Sequence, residues 1–112
     1  MSRNKGNSLI AFPDNYTIID IETTGFSPVN DKIIEFAAIK VINGDVIDTY
    51  STLINPCKFI KNDIQELTGI CNFDVKDAPV IEEVIDDFAS FIANDIVIAY
   101  NANFDINFLI SI

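Results

Sequence analysis

The dipeptide Asn43-Gly44 stands between two long runs of strand-forming residues, Ile33 to Ile42 and Val46 to Ile54. Both residues tolerate positive φ, as a tight hairpin turn requires. The two runs therefore fold back on each other as antiparallel strands. A third run, Tyr16-Thr17-Ile18-Ile19-Asp20-Ile21-Glu22, is short and β-branched. Pro13-Asp14-Asn15 and Gly25 bound it, so it too reads as a strand. Thr24-Gly25-Phe26-Ser27-Pro28 is a turn, and Asn55-Pro56 ends the hairpin.

Beyond Pro56 the period changes. Lys61 to Leu67 suggests a short helix closed by Thr68-Gly69. Asp77-Ala78-Pro79 opens a longer helix, because a capping Asp and a first-turn Pro are start signals. Val80, Val84, Ile85, Phe88, Phe91 and Ile92 fall on one helical face. Glu82, Glu83, Asp86 and Asp87 lie off that face, solvated and favourable to the helix dipole. Ile96-Val97-Ile98-Ala99-Tyr100 is nearly continuous in apolar residues, the pattern of a buried parallel strand. Phe104 to Ile112 begins another helix. The predicted order is β-β-β-α-α-β-α, an α/β fold in which helices cover a mixed sheet.

At 112 residues the chain is one domain at most, with residues 1–13 a polar lead-in. Its formal charge of -10, from 7 basic and 17 acidic residues, argues against nucleic-acid binding by charge alone. Bound divalent metal would offset acidic residues gathered in a site. A mean hydropathy of +0.28 hints at apolar surface that meets something else. The last segment ends inside an apolar helix with no stop signal, so we expect a C-terminally truncated domain that self-associates through this end. Cys57 and Cys71 have no CxxC spacing and are expected to be buried or half-buried thiols without a disulfide. No signal-peptide or membrane-spanning stretch is apparent, and the expected location is cytoplasmic.

Three carboxylates stand out. Side chains alternate along a strand, so Asp20 and Glu22 share a face, about 6.6 Å apart at roughly 3.3 Å per residue. That separation suits a two-metal site, whose ions lie about 3.5–4 Å apart. An edge strand with one face in water would carry the same pattern. Asp105 lies in the first turn of the helix after the apolar strand. If that strand runs parallel to the first, Asp105 and Glu22 reach the same end of the sheet, where α/β proteins place ligands. Helix capping by Asn103 or Asp105 is the competing reading.

Asp20-Ile21-Glu22-Thr23-Thr24-Gly25 resembles the first exonuclease motif of the DEDD exonucleases, and Asn101-Ala102-Asn103-Phe104-Asp105 resembles the second. Ile34-Glu35-Phe36-Ala37-Ala38-Ile39 and Leu67-Thr68-Gly69-Ile70 are similar to the histidine-bearing branch at matching places. That branch includes the proofreading subunit or domain of bacterial replicative DNA polymerase III. The resemblance implies an RNase H-like mixed sheet with flanking helices, here the N-terminal portion of a single exonuclease domain whose last strand and helices are missing. It implies two Mg²⁺ or Mn²⁺ ions held by Asp20, Glu22, Asp105 and a further Asp. It implies contacts of Thr23, Thr24, Gly25, Phe26, Leu67, Thr68, Gly69 and Asn101 with the terminal nucleotide.

The activity so implied is 3′–5′ removal of nucleoside 5′-monophosphates from single-stranded DNA, with a DNA polymerase as a partner. Tyr100 stands where many members carry His. The third motif, with its general-base His and fourth Asp, has no counterpart here, because the chain contains no histidine. The 112 residues alone are therefore expected to be inactive. The alternatives are a non-catalytic module that binds a polymerase or nucleic acid, an RNA-directed exonuclease of the same fold, and another two-metal hydrolase such as a phosphatase.

Overall fold

A computed structural model describes residues 13–112. Apart from Pro13, the predicted lead-in lies outside the described residues. Strand β1 spans Asn15–Thr23, β2 Ile33–Ile42 and β3 Asp45–Leu53. Helices α1 (Asn62–Thr68), α2 (Asn72–Val75) and α3 (Ile81–Ile92) follow, then β4 (Val97–Ala99) and α4 (Ala102–Ile110). The sheet order is β3-β2-β1-β4. The β1–β2 and β2–β3 pairs are antiparallel and β1–β4 is parallel, as expected. The expectation of a buried strand over Ile96–Tyr100 is corrected: β4 keeps only Val97–Ala99 and forms the sheet edge, so Val97 is exposed, and Ile96 and Tyr100 fall outside the strand and are exposed. Asn43 and Gly44 both take positive φ, 52° and 81°, at the hairpin turn.

Alternation along β1 sorts its side chains. Thr17, Ile19, Ile21 and Thr23 are buried, whereas Ile18 and Asp20 are exposed and Glu22 is half-buried. Ile19 and Ile21 join Phe36, Ala38, Val84, Phe88 and Phe108 in the main core. The Phe36 and Phe88 rings stack at 4.1 Å between centroids, pinning α3 to β2. The register slips by one residue between Glu22 and Thr23, opposite Ile33-Ile34-Glu35. Such a bulge lets two successive side chains go inward. Ile33 enters the main core, and Ile34 enters a second cluster with Ile60, Ile64, Ile70 and Val75 under α1 and α2.

Some expectations need correction. Helix α3 begins at Ile81, not at Asp77-Ala78-Pro79, because the Pro79 carbonyl accepts from Asn55 N at 2.8 Å and stays tied to the end of β3. Glu83 then reaches back to Val80 N at 3.0 Å and serves the first turn. Helix α2 has four residues, too few to leave a periodic signal, and α4 starts two residues before Phe104. Cys57 is exposed rather than buried, in a loop where its φ is 56°; Cys71 is half-buried, and both thiols are free. Among the described residues no helix is long and apolar enough to cross a membrane.

Candidate active site

Strand β1 delivers two acids to its open face because polar residues alternate there with buried Ile19, Ile21 and Thr23. The β1–β2 register sets Glu35 directly opposite Glu22 and Ala37 opposite Asp20. Ala37 leaves room beside Asp20, and Glu35 adds a carboxylate that the motif reading left out of the site. Its signal was available only through the register of the hairpin. Because β4 runs parallel to β1, the start of α4 falls at the end of the sheet where β1 finishes. That brings Asp105 toward the same place.

The four carboxylates feel one another. Burial pushes the Glu22 carboxyl above its usual range, and Asp20, Glu35 and Asp105 push it further. Glu35 is raised by burial and then by Asp20. Asp105 is raised to about 6, by burial first and then by Asp20. Its residue is only 4% exposed. Among the described residues nothing donates a hydrogen bond to its carboxylate; only its N–H is used, to Asn101 O at 3.1 Å. Asp105 therefore does not cap α4.

A buried carboxylate without a donor is costly unless paired or bound to a cation. Asp20, Glu22 and Asp105 offer the hard oxygen donors that Mg²⁺ and Mn²⁺ prefer. Among the described residues no three acids stand close enough together to hold a metal ion between them.

Beside Glu22 opens a cleft of about 100 Å³. It gathers Glu22, Thr23, Gly25, Phe26, Leu67 and Thr68, six of the residues that the motifs nominate. Phe26 stands 72% exposed at its mouth and meets the Phe104 ring edge-on at 6.2 Å between centroids. Thr23 donates to Gly25 O at 2.5 Å, which fixes the turn leaving β1. Thr24 faces away from this cleft: its Oγ1 pairs with Asp31 Oδ1 at 3.1 Å and accepts from Lys32 N at 3.0 Å. Gly25 sits in close approach to Asp31: a Cβ there would collide with the Asp31 carboxylate and force it to shift.

Gly69 does not line the cleft. It ends α1 with φ 75° and donates to Gln65 O. Asn101, exposed at the head of α4, also lies outside it.

The family model described as "Exonuclease" matches residues 17–111. The chain is 44% identical over 104 residues to the PolC-type DNA polymerase III of Caldanaerobacter subterraneus subsp. tengcongensis, covering 93% of this chain and 7% of that one. It is 46% identical over 96 residues to the Bacillus subtilis PolC-type polymerase, covering 86% and 7%. The chain thus spans about 7% of the length of these curated relatives. Among solved structures, exonuclease X in complex with 5′ overhanging duplex DNA superposes with a TM-score of 0.71 at 32% identity. That match covers 82% of this chain and 52% of the other. Exonuclease I of E. coli in complex with a dT13 oligonucleotide gives 0.74 at 20% identity, covering 86% and 22%, a likeness of fold. An RNase H-like sheet, the two motif strings in place and a family match over nearly the whole length agree: the chain belongs to the exonuclease family.

Proposed function

We propose that this domain is a metal-dependent 3′–5′ exonuclease that removes nucleoside 5′-monophosphates from single-stranded DNA, in proofreading or repair beside a DNA polymerase. The observation that carries this reading is that Glu22 belongs at once to the acidic cluster and to the cleft under Phe26. Asp20, Glu22 and Asp105 would hold two Mg²⁺ or Mn²⁺ ions. The chemistry such ions supply is Lewis-acid stabilisation of the phosphodiester and a lowered pKa for water. The chain's own residues position the strand. Thr23, Leu67 and Thr68 face the terminal nucleotide, and Phe26 offers its ring to the base. Hydrolysis joins a water oxygen to phosphorus and breaks the bond between phosphorus and the 3′-oxygen of the preceding nucleotide, and that oxygen leaves with a proton from the same water.

The DNA named with exonucleases X and I supports DNA as the substrate, and the polymerase relatives support a polymerase as the partner. Residues 1–112 contain no histidine, so by themselves they hydrolyse slowly. Losing a positioned general base costs about 10²–10⁴-fold. The exposed apolar side of α4, with Ile106 and Ile110, is a surface for self-association of this segment.

The test is a 5′-labelled single-stranded oligonucleotide with Mn²⁺, given to the intact protein and to its Asp20→Ala and Asp105→Ala variants. A ladder shortening from the 3′ end, abolished in both variants, is the expected result. No shortening by the intact protein overturns the activity. Full activity in the variants overturns the site.

A further inference from the structure

The described residues carry five cationic side chains, all lysines, in a chain of net charge -10. Two are spent elsewhere: Lys40 pairs with Asp95 at 3.3 Å and Lys76 with Asp77 at 2.7 Å. Lys58 and Lys61 line a second cleft of about 270 Å³. This cleft shares Gly25, Phe26 and Ile64 with the one beside Glu22, so the two adjoin. Phe59, between the two lysines in sequence, also lines it and stands 69% exposed.

Two acids lie here as well: Asp31 is paired with Lys58, while the charge of Asp63 has no cationic partner among the described residues. Asp31 accepts from Ser27 N, Thr24 Oγ1 and Lys58 Nζ, and Asp63 accepts from Ile64 N. Lys61 has no ion-pair partner among the described residues.

Cations alternating with solvent-facing rings are the chemistry by which proteins track a single strand: rings take bases and ammonium groups take phosphates. We infer that this second cleft receives the nucleotide immediately 5′ of the terminal one, with Phe59 stacked on its base and Lys61 against its phosphate. The inference rests on the exonuclease reading above. Lys58 is a positioning residue. Its Nζ donates to Asn30 O at 2.9 Å and Asp31 Oδ1 at 3.4 Å, tying the loop after β1 to the segment before α1.

The experiment measures binding of dTMP, which fills only the terminal cleft, and of a dT8 oligonucleotide, with Ca²⁺ as the divalent ion. Lys61→Gln in the intact protein should weaken dT8 about 3–10-fold at low salt and reduce the slope of log affinity against log salt by about 0.7. Phe59→Ala should weaken dT8 about 5–50-fold, and Phe59→Tyr should restore it. Affinity for dTMP should not change in any of these, and Lys76→Gln should change neither ligand. Equal losses for dTMP and dT8, or dT8 affinity within about twofold of wild type in both Lys61→Gln and Phe59→Ala, would overturn the second cleft while leaving the exonuclease reading in place. A wild-type protein that binds neither ligand overturns both.

Discussion

Glu22 and Glu35 stand directly opposite each other across the antiparallel β1–β2 pair. Neither has a cationic partner among the described residues, and burial raises the pKa of each. Like charges directly opposite destabilise a sheet. The pair opposes folding unless a cation joins it.

Replacing one member should relieve the metal-free protein. We expect Glu35→Gln to raise its stability at pH 7 by about 0.2–1 kcal/mol. That is a rise in Tm of a few degrees for a domain this size. Thermal unfolding in chelator checks it, and an unchanged or lower Tm would count against a strained pair.

The acidic cluster also fixes the sign of a pH effect. Glu22, Glu35 and Asp105 all have raised pKa values in the folded state, Asp105 to about 6. A group raised above its unfolded value contributes stability below the unfolded pKa and loses it as pH rises through the folded pKa. Asp31, Asp74 and Asp95 are lowered and act with the opposite sign, gaining stability as pH rises, but that gain is complete by about pH 5. Between about pH 5 and pH 6.5 the acidic cluster therefore decides, and the metal-free domain should lose stability there, with Mn²⁺ restoring it at the upper end. Denaturant midpoints across that range, with and without Mn²⁺, read this out. A midpoint that climbs with pH in chelator would contradict it.

Gly25→Ala should disturb the turn through Asp31. The added methyl displaces a carboxylate that receives Ser27 N, Thr24 Oγ1 and Lys58 Nζ. Overpacking of this kind costs about 1–3 kcal/mol. The expected outcome is a lower Tm together with weaker nucleotide binding, because Gly25 and Phe26 line both clefts. Wild-type stability and binding in the variant would mean that Asp31 simply moves aside.

Strand β4 has three residues and depends on its first contacts with β1. Thr17, fully buried, donates to Asp95 at 2.6 Å, and Thr17 N donates to Ile96 O at 2.8 Å. Thr17→Val removes the side-chain bond and should cost about 1 kcal/mol. Amide hydrogen exchange should accelerate at Ile98 and Ala99 more than at Ile39 and Val41. Uniform acceleration would mean that β4 is not separately held.

The apolar side of α4 should make residues 1–112 associate when expressed alone. Ile106 is 48% and Ile110 76% exposed, while Phe108 of the same helix is buried in the core. Ile106→Lys with Ile110→Lys should return the polypeptide to a monomer by light scattering. A wild-type polypeptide that is already monomeric refutes the association.

Much of this molecule follows from local rules. The Asn43-Gly44 turn needs only two residues that accept positive φ, so it sets the hairpin by itself. Alternation puts Asp20 and Glu22 on one face of β1, and the 3.6-residue period puts Val84 and Phe88 on the buried face of α3. These are relations between neighbours a few residues apart, and the sequence determines them. What it leaves open is set by contacts between distant segments. Pro79 reads as a helix start until Asn55 claims its carbonyl across 24 positions. Glu35 joins the acids only once register and bulge place it opposite Glu22. Lys58, Phe59 and Lys61 look like a plain loop until packing sets them beside Gly25 and Phe26. Such placements depend on which surfaces bury one another, and burial is a property of the assembled core that no local period records.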